Sequence, residues 1–175
     1  GKPKADKVEW GSITSDFEAA FRPGHFDGVV AVVDKLFTAV KPNMGFFGEK
    51  DLQQVAVIKK LAKDKHPKTH IKSCPLIRDE EGLALSSRNT RLSKEGKQSA
   101  LCLSQSLSRI KSSVNAKAQI EKERDALNDN IDVELEYLEG VNEASYSKKD
   151  SPESWTHVII AAEVEGVRLI DNIRL

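Results

Sequence analysis

The sequence is short of most features that would narrow its class at once. Its 175 residues include two cysteines, few aromatics (6%) and no excess charge, the 27 basic and 27 acidic residues cancelling. Cys74 and Cys102 have no C-x-x-C spacing and no clustered histidines, which argues against a disulfide framework or a zinc ribbon. They fit reduced thiols in a cytoplasmic protein. The cancelling charges leave no whole-chain field to draw in nucleic acid or anionic lipid, so neither is expected as a partner. No apolar run reaches the ~18 residues of a membrane helix, and the start, Gly1-Lys2-Pro3-Lys4, is too polar for a secretory signal. That start also lacks an initiator Met, from which a cut or processed chain is expected. There is no internal repeat, heptad array or low-complexity tract. What remains is a globular chain whose 39% hydrophobic residues suffice for a modest core, in one domain or two small ones.

Its elements follow from apolar spacing. Val8-Glu9-Trp10 has the look of a short strand and Asp16 to Phe21 that of a helical turn. After the Arg22-Pro23-Gly24-His25 loop, Phe26, Val29, Val30, Val33, Phe37 and Val40 fall on one helical face. That helix must end before Pro42, and its face is expected to be buried against a sheet. Asn43 to Gly48 reads as a short apolar strand, Leu52 to about Lys63 as a helix, and His70 to Ile77 as a second strand. Helices and strands alternating in this way predict a parallel sheet with helices on its faces. A domain boundary is placed near Pro75, giving domains 1–75 and 76–175. Beyond it, Ser93 is placed as a helix N-cap before the stripe Ala100, Leu103, Leu107, Ile110, and a charged helix covers Ala116 to Leu127. Alternation of Ile131, Val133, Leu135 and Tyr137 with acidic residues predicts a strand. His157 to Val164 and Val167 to Ile170, joined by Glu165-Gly166, read as a hairpin.

The stretch from Phe46 to Asn89 organises the rest. It opens with Phe-Phe-Gly-Glu-Lys-Asp, at the end of a parallel strand where such sheets bind ligands, and closes with Leu-Ala-Leu-Ser-Ser-Arg-Asn. Gly48 lets a backbone approach a ligand, Lys50 supplies a point charge, and Ser86, Ser87 and Arg88 offer hydroxyls beside a planar guanidinium. Two such loops could bracket a triphosphate and stabilise the charge that develops as pyrophosphate leaves. Each loop alone has little specificity, since charged loops are most often solvated surface. His66 and His70 stand four apart, but Pro67 argues against one continuous metal-binding helix. His157 is read as a packing residue, and Glu121, Glu123 and Asp125, interspersed with Lys122 and Arg124, as a solvated helix face. Arg22 and His25 form a polar pair that either serves a ligand or braces the turn.

Three motifs in order, Arg22-Pro-Gly-His25-Phe-Asp-Gly-Val, Phe47-Gly-Glu-Lys50-Asp51-Leu-Gln-Gln54 and Gly82-Leu-Ala-Leu-Ser-Ser-Arg88-Asn89, closely resemble the pantothenate synthetase (pantoate:beta-alanine ligase) family. Arg168-Leu-Ile-Asp-Asn172 resembles that family's end. The resemblance implies an α/β fold: the C-terminal part of a Rossmann-like nucleotidyltransferase domain, then a small α+β domain with an antiparallel sheet. It implies a homodimeric ligase that uses ATP and Mg2+ to adenylate pantoate, then transfers the pantoyl group to beta-alanine. By motif position, Gly48, Glu49, Lys50, Asp51, Ile77, Leu85, Ser86, Ser87 and Arg88 are expected to contact ATP. Among these, Lys50, Ser86, Ser87 and Arg88 are the catalytic candidates, with Asp51 near the ribose and the Ile77 backbone near the adenine. Gln54 matches a pantoate-binding glutamine, and Arg22 and His25 the pocket rim. No protein metal site is implied.

One departure stands out. The family's first half carries a His-x-Gly-His signature, and none occurs in these residues. The expectation is therefore a C-terminal portion with half a site and little activity alone. Two alternatives stand beside it: a non-catalytic module that binds an anion or a partner, and a piece of another adenylate-forming enzyme, such as an aminoacyl-tRNA synthetase, for which a basic stripe would be expected.

Overall fold

The computed structural model describes residues 5–175, so the expectation attached to Gly1–Lys4 lies outside the described residues. Two compact units emerge, one running to Pro75 and taking in Glu143–Lys149, the other made of Leu76–Asn142 and Asp150–Leu175.

In the first unit a short helix α1 (Glu18–Phe21) precedes α2 (His25–Val40), strand β1 (Met44–Gly48), helix α3 (Leu52–Lys65) and strand β2 (His70–Cys74). β1 and β2 pair in parallel, Met44 opposite His70 through Gly48 opposite Cys74. Pro75 has no N–H to offer a ladder, and the strand stops before it rather than running on to Ile77. Apolar residues of α2 mesh with α3: Phe26 and Val30 meet Val57 and Leu61, and Phe37 meets Ile58, Ala62, Phe47 and Ile71. Each such fully buried side chain contributes about 1.5–3 kcal/mol relative to exposure. The partner of α2 is thus chiefly a helix, with the sheet reached through Phe37. Val40, expected on the buried face, is exposed because it sits in the last turn, beyond the end of α3's contact row.

Val8 to Trp10 form no strand. The Val8 N–H donates to the Asp27 carboxylate at 2.8 Å, and Val8 and Trp10 pack on the Phe26 cluster, so the segment is held by side chains instead of a ladder. Gln53 ties this region together. Its side chain accepts from the Glu18 N–H at 3.0 Å and donates to the carbonyls of Ile13 and Asp16, each at 2.9 Å. Residues 143–149 come to the same unit through Tyr146, which is fully buried and edge-on to Phe17. Burial pushes the Tyr146 phenol well above its ordinary range. Residues 143–149 thus belong to the first unit although they lie in the C-terminal half of the chain.

In the second unit α4 (Lys94–Lys111) and α5 (Ala116–Asn128) lie on an antiparallel sheet of order β3-β4-β5, formed by Glu134–Val141, His157–Val164 and Val167–Arg174. The Ser93 side chain accepts from the Gly96 N–H at 2.9 Å, the expected cap of α4. Leu103, Leu107 and Ile110 from α4 pack with Ile120 and Leu127 from α5 and with Leu138, Val158, Ile160 and Ala162 from the sheet. Glu165 and Gly166 both have positive φ, 50° and 71°, the type I′ geometry that joins β4 to β5.

Two readings change here. The first strand begins at Glu134 and not Ile131, which is almost fully exposed, and its register shifts between Leu135 and Tyr137. That bulge flips the alternation, so Leu138 and not Tyr137 enters the core. The acidic patch on α5 is not simply solvated either. Glu123 is buried, and its carboxylate takes two bonds from Arg109 of α4, at 2.8 and 2.7 Å, and one from Gln119. A helix-to-helix pair of this kind needs tertiary proximity, which charge spacing along one helix does not reveal.

Candidate functional site

The candidate residues fall into two groups, one in each unit. In the first, Gly48 ends β1 and caps a one-turn 3₁₀ helix, Glu49–Asp51, that runs directly into α3. A parallel strand leading into a helix brings backbone N–H groups to the strand's C-terminal end, where anions are favoured. Gly48 has an ordinary φ of −72°, and a side chain there would meet nothing within 4 Å. The fold itself therefore does not require glycine; the open space above it suits close approach by a ligand. Lys50 is largely sheltered, with its ammonium 3.9 Å from the Asp51 carboxylate, so the pair shares one short turn. Gln54 lies one turn on along α3 and is partly exposed. Its neighbour Gln53 is buried in the bonds described above, so only the second glutamine of the pair is presented outward. Arg22 Nη1 lies 3.1 Å from His25 Nε2, and Arg22 also pairs with Glu18 at 3.5 Å. Bracing of the α1–α2 turn is thereby built in.

In the second unit a small antiparallel loop carries the other group. Arg78 bridges Ala84, the Leu85 N–H donates to the Ile77 carbonyl at 2.9 Å, and the Asp79 N–H donates to the Leu83 carbonyl at 2.9 Å. Ile77 and Leu85 are both exposed, which leaves two large apolar side chains opposite each other on one rung. Arg78 anchors this loop to β5 by a fork onto Asp171, at 2.6 and 2.9 Å, and donates to the carbonyls of Gly82 and Asn172. Ser86 then caps the 3₁₀ turn Ser87–Arg91, its hydroxyl accepting from the Arg88 N–H at 3.2 Å. The Arg88 guanidinium donates to the Arg168 carbonyl at 3.2 Å, and Arg168 is itself held bidentately by Glu136. Ser87 is exposed. Chemically, this loop offers an exposed hydroxyl, an arginine parked on a single carbonyl and a small apolar ledge.

Arg78 was not singled out by sequence, and Asp171 entered only as part of the closing Arg168–Asn172 motif. Arg78 sits in a polar loop, and Asp171 in the closing strand, with 93 positions between them. His66, set aside as a ligand, has its Nε2 2.6 Å from the Asp34 carboxylate, and that contact holds Asp34 below the usual carboxylate range. His157 is buried, with Nδ1 2.9 Å from the Thr156 hydroxyl. Cys74 and Cys102 are unbridged, and burial pushes the Cys102 thiol up to about 11.

Comparison with known proteins decides the family. The model of the pantoate-beta-alanine ligase family matches residues 3–174. The chain belongs to the pantoate-beta-alanine ligase family. Pantothenate synthetase of Bacteroides thetaiotaomicron is 39% identical over 178 residues, which is 99% of this chain and 63% of that protein. The crystal structure of pantothenate synthetase from Thermus thermophilus superposes with a TM-score of 0.88 at 32% identity, covering 98% of this chain and 63% of the other. A pantoate-beta-alanine ligase from Francisella tularensis, complexed with beta-gamma ATP and beta-alanine, matches with a TM-score of 0.73 and 30% identity over 99% of this chain and 59% of its own. The chain thus spans under two thirds of the length of these family members. No helix among the described residues is long and apolar enough to cross a membrane.

Proposed function

We propose that this chain carries the Lys50 and Arg88 side of an ATP-dependent ligase that joins pantoate to beta-alanine. In the first step a pantoate carboxylate oxygen attacks the α-phosphorus of ATP and pyrophosphate leaves. In the second the beta-alanine amine attacks the acyl carbon of pantoyl adenylate, the C–O bond to AMP breaks, and the amine loses its proton. Neither step needs a side-chain nucleophile, so the protein's task is positioning and charge stabilisation.

Within this reading Lys50 and Arg88 meet the phosphates, and Ser86 and Ser87 donate to them. Asp51 takes the ribose, Gln54 takes pantoate, the protein backbone at Gly48 and Glu49 approaches the nucleotide, the Ile77 backbone meets the adenine, and Leu85 closes with its loop on the phosphates. Arg22 and His25 line the rim. The family membership carries the reading, supported by the open space over Gly48 at the end of a parallel strand. Mg2+ would come with the nucleotide, keeping waters and needing only one or two carboxylates. Glu49, partly exposed in the same turn, is a hard oxygen donor of that kind, whereas the Asp51 carboxylate already faces the Lys50 ammonium. Bound there, the ion would supply positive charge to offset that of the departing pyrophosphate. With no His-x-Gly-His in these residues, the histidine side of the site is not assigned to this chain.

Titration calorimetry of ATP, pantoate and the two together, with Lys50→Ala and Arg88→Ala, tests the reading. Each substitution removes charge-assisted bonds worth about 1.5–3 kcal/mol, so ATP affinity should fall roughly ten- to hundredfold. A folded chain that binds neither ligand, or variants that bind as the parent does, would overturn it.

A further inference from the structure

We propose that Asn89 is a positioning residue that staples the base of the Leu85–Arg88 loop, leaving the tip to meet the nucleotide; the ligand part of this rests on the function proposed above. Ala84, where the loop begins, is buried, while Leu85 and Ser87 stand exposed. Across the base, Asn89 Nδ2 donates to the Ala84 carbonyl at 3.0 Å. The Asn89 N–H donates to the Ser86 carbonyl at 3.1 Å, and the Arg88 N–H donates to the Ser86 hydroxyl at 3.2 Å. One side chain thus closes a ring around the three residues assigned to phosphate.

The other end of the same amide argues that the staple is not incidental packing. Asn89 Oδ1 is buried with no donor among the described residues. An amide with one satisfied end has its orientation imposed by that end, here by the Ala84 carbonyl. Turning the amide over would set oxygen against oxygen. The loop geometry is therefore bound to a donor at position 89 and not to the volume of the side chain. Asparagine supplies that donor without charge, so no second charge competes with Arg88 for an anion.

The experiment compares the parent chain with Asn89→Ala and Asn89→Asp by hydrogen exchange, thermal unfolding, and titration of a β,γ-non-hydrolysable ATP analogue with Mg2+. Aspartate fills the same volume but sets a carboxylate against the carbonyl, so it should behave like alanine. Both variants are expected to exchange the amides of residues 88 and 89 at least about tenfold faster and to bind the analogue about tenfold more weakly, with the midpoint of unfolding nearly unmoved in Asn89→Ala and lowered in Asn89→Asp by its buried charge. An Asn89→Asp chain that behaves as the parent would overturn the proposal, because volume alone would then suffice. So would unchanged exchange in both variants, or lost protection spread through α4 and the β3–β5 sheet, which would make Asn89 a general structural residue. Should the parent itself take up no analogue, the functional reading fails, and the exchange arm still decides the staple.

Discussion

Replacing Asp171 with asparagine should destabilise the second unit while preserving its shape. The carboxylate is buried, and it accepts 2.6 and 2.9 Å bonds from Arg78 and a 2.7 Å bond from the Asn172 N–H. Breaking a fully buried pair from one side costs about 3–5 kcal/mol, because the partner charge is left uncompensated. The Arg78 side chain retains 28% exposure, so water recovers part of that loss. A cost of about 2–3 kcal/mol is expected for Asp171→Asn, and a similar one for Arg78→Met. The double variant, Arg78→Met with Asp171→Asn, removes both charges and should cost far less than the sum, giving a coupling of about 2 kcal/mol. Trp155 belongs to this unit and Trp10 to the other, so urea unfolding followed by Trp155 fluorescence in a Trp10→Phe background reads the right transition. Coupling under about 0.5 kcal/mol would show that the fork is no more than a surface contact and would sink the reasoning.

Three further outcomes follow from other contacts. The hydrogen bond from Arg109 holds the Glu123 carboxyl below its ordinary range against the opposing effect of burial, so its contribution is full above an unfolded value of about 4.3 and is lost as pH falls through the lower folded value. Glu123→Gln should therefore weaken the unit at about pH 7 and flatten its stability profile on the acid side; an unchanged acid limb in pH-dependent urea melts would contradict this. A methyl at Gly140 would fall inside the Trp155 ring, so Gly140→Ala should cost about 1–3 kcal/mol and shift Trp155 emission to the red, and parent-like emission and stability would count against it. With its thiol pushed up to about 11, Cys102 should present roughly one thiolate in a thousand at about pH 8 and label slowly with a disulfide reagent until the protein is unfolded; rapid labelling of the folded Cys74→Ser chain would disprove it.

Periodic features were the ones legible in the sequence, because they depend only on neighbours along the chain. The spacing of Leu103, Leu107 and Ile110 announced α4, Ser93 its start, and Glu165-Gly166 the hairpin. The α/β class followed from the order of elements. What failed did so for non-local reasons. Val8 to Trp10 had strand-forming residues and no strand to pair with. The alternation from Ile131 onward was interrupted by a bulge that only a neighbouring strand defines.

The candidate site shows the same division. Motif order carried the family; the fold adds that Gln53, next to the candidate Gln54, has its amide bonded to Ile13, Asp16 and Glu18. The helices, the hairpin and the family were all readable along the chain, since they rest on local spacing and chemistry. Folding in three dimensions was needed to bury Glu123 and to bring Arg78 to Asp171 across 93 positions. Those outcomes depend on which distant groups meet out of water, and on the hydrogen bonds left for each polar atom once they have met.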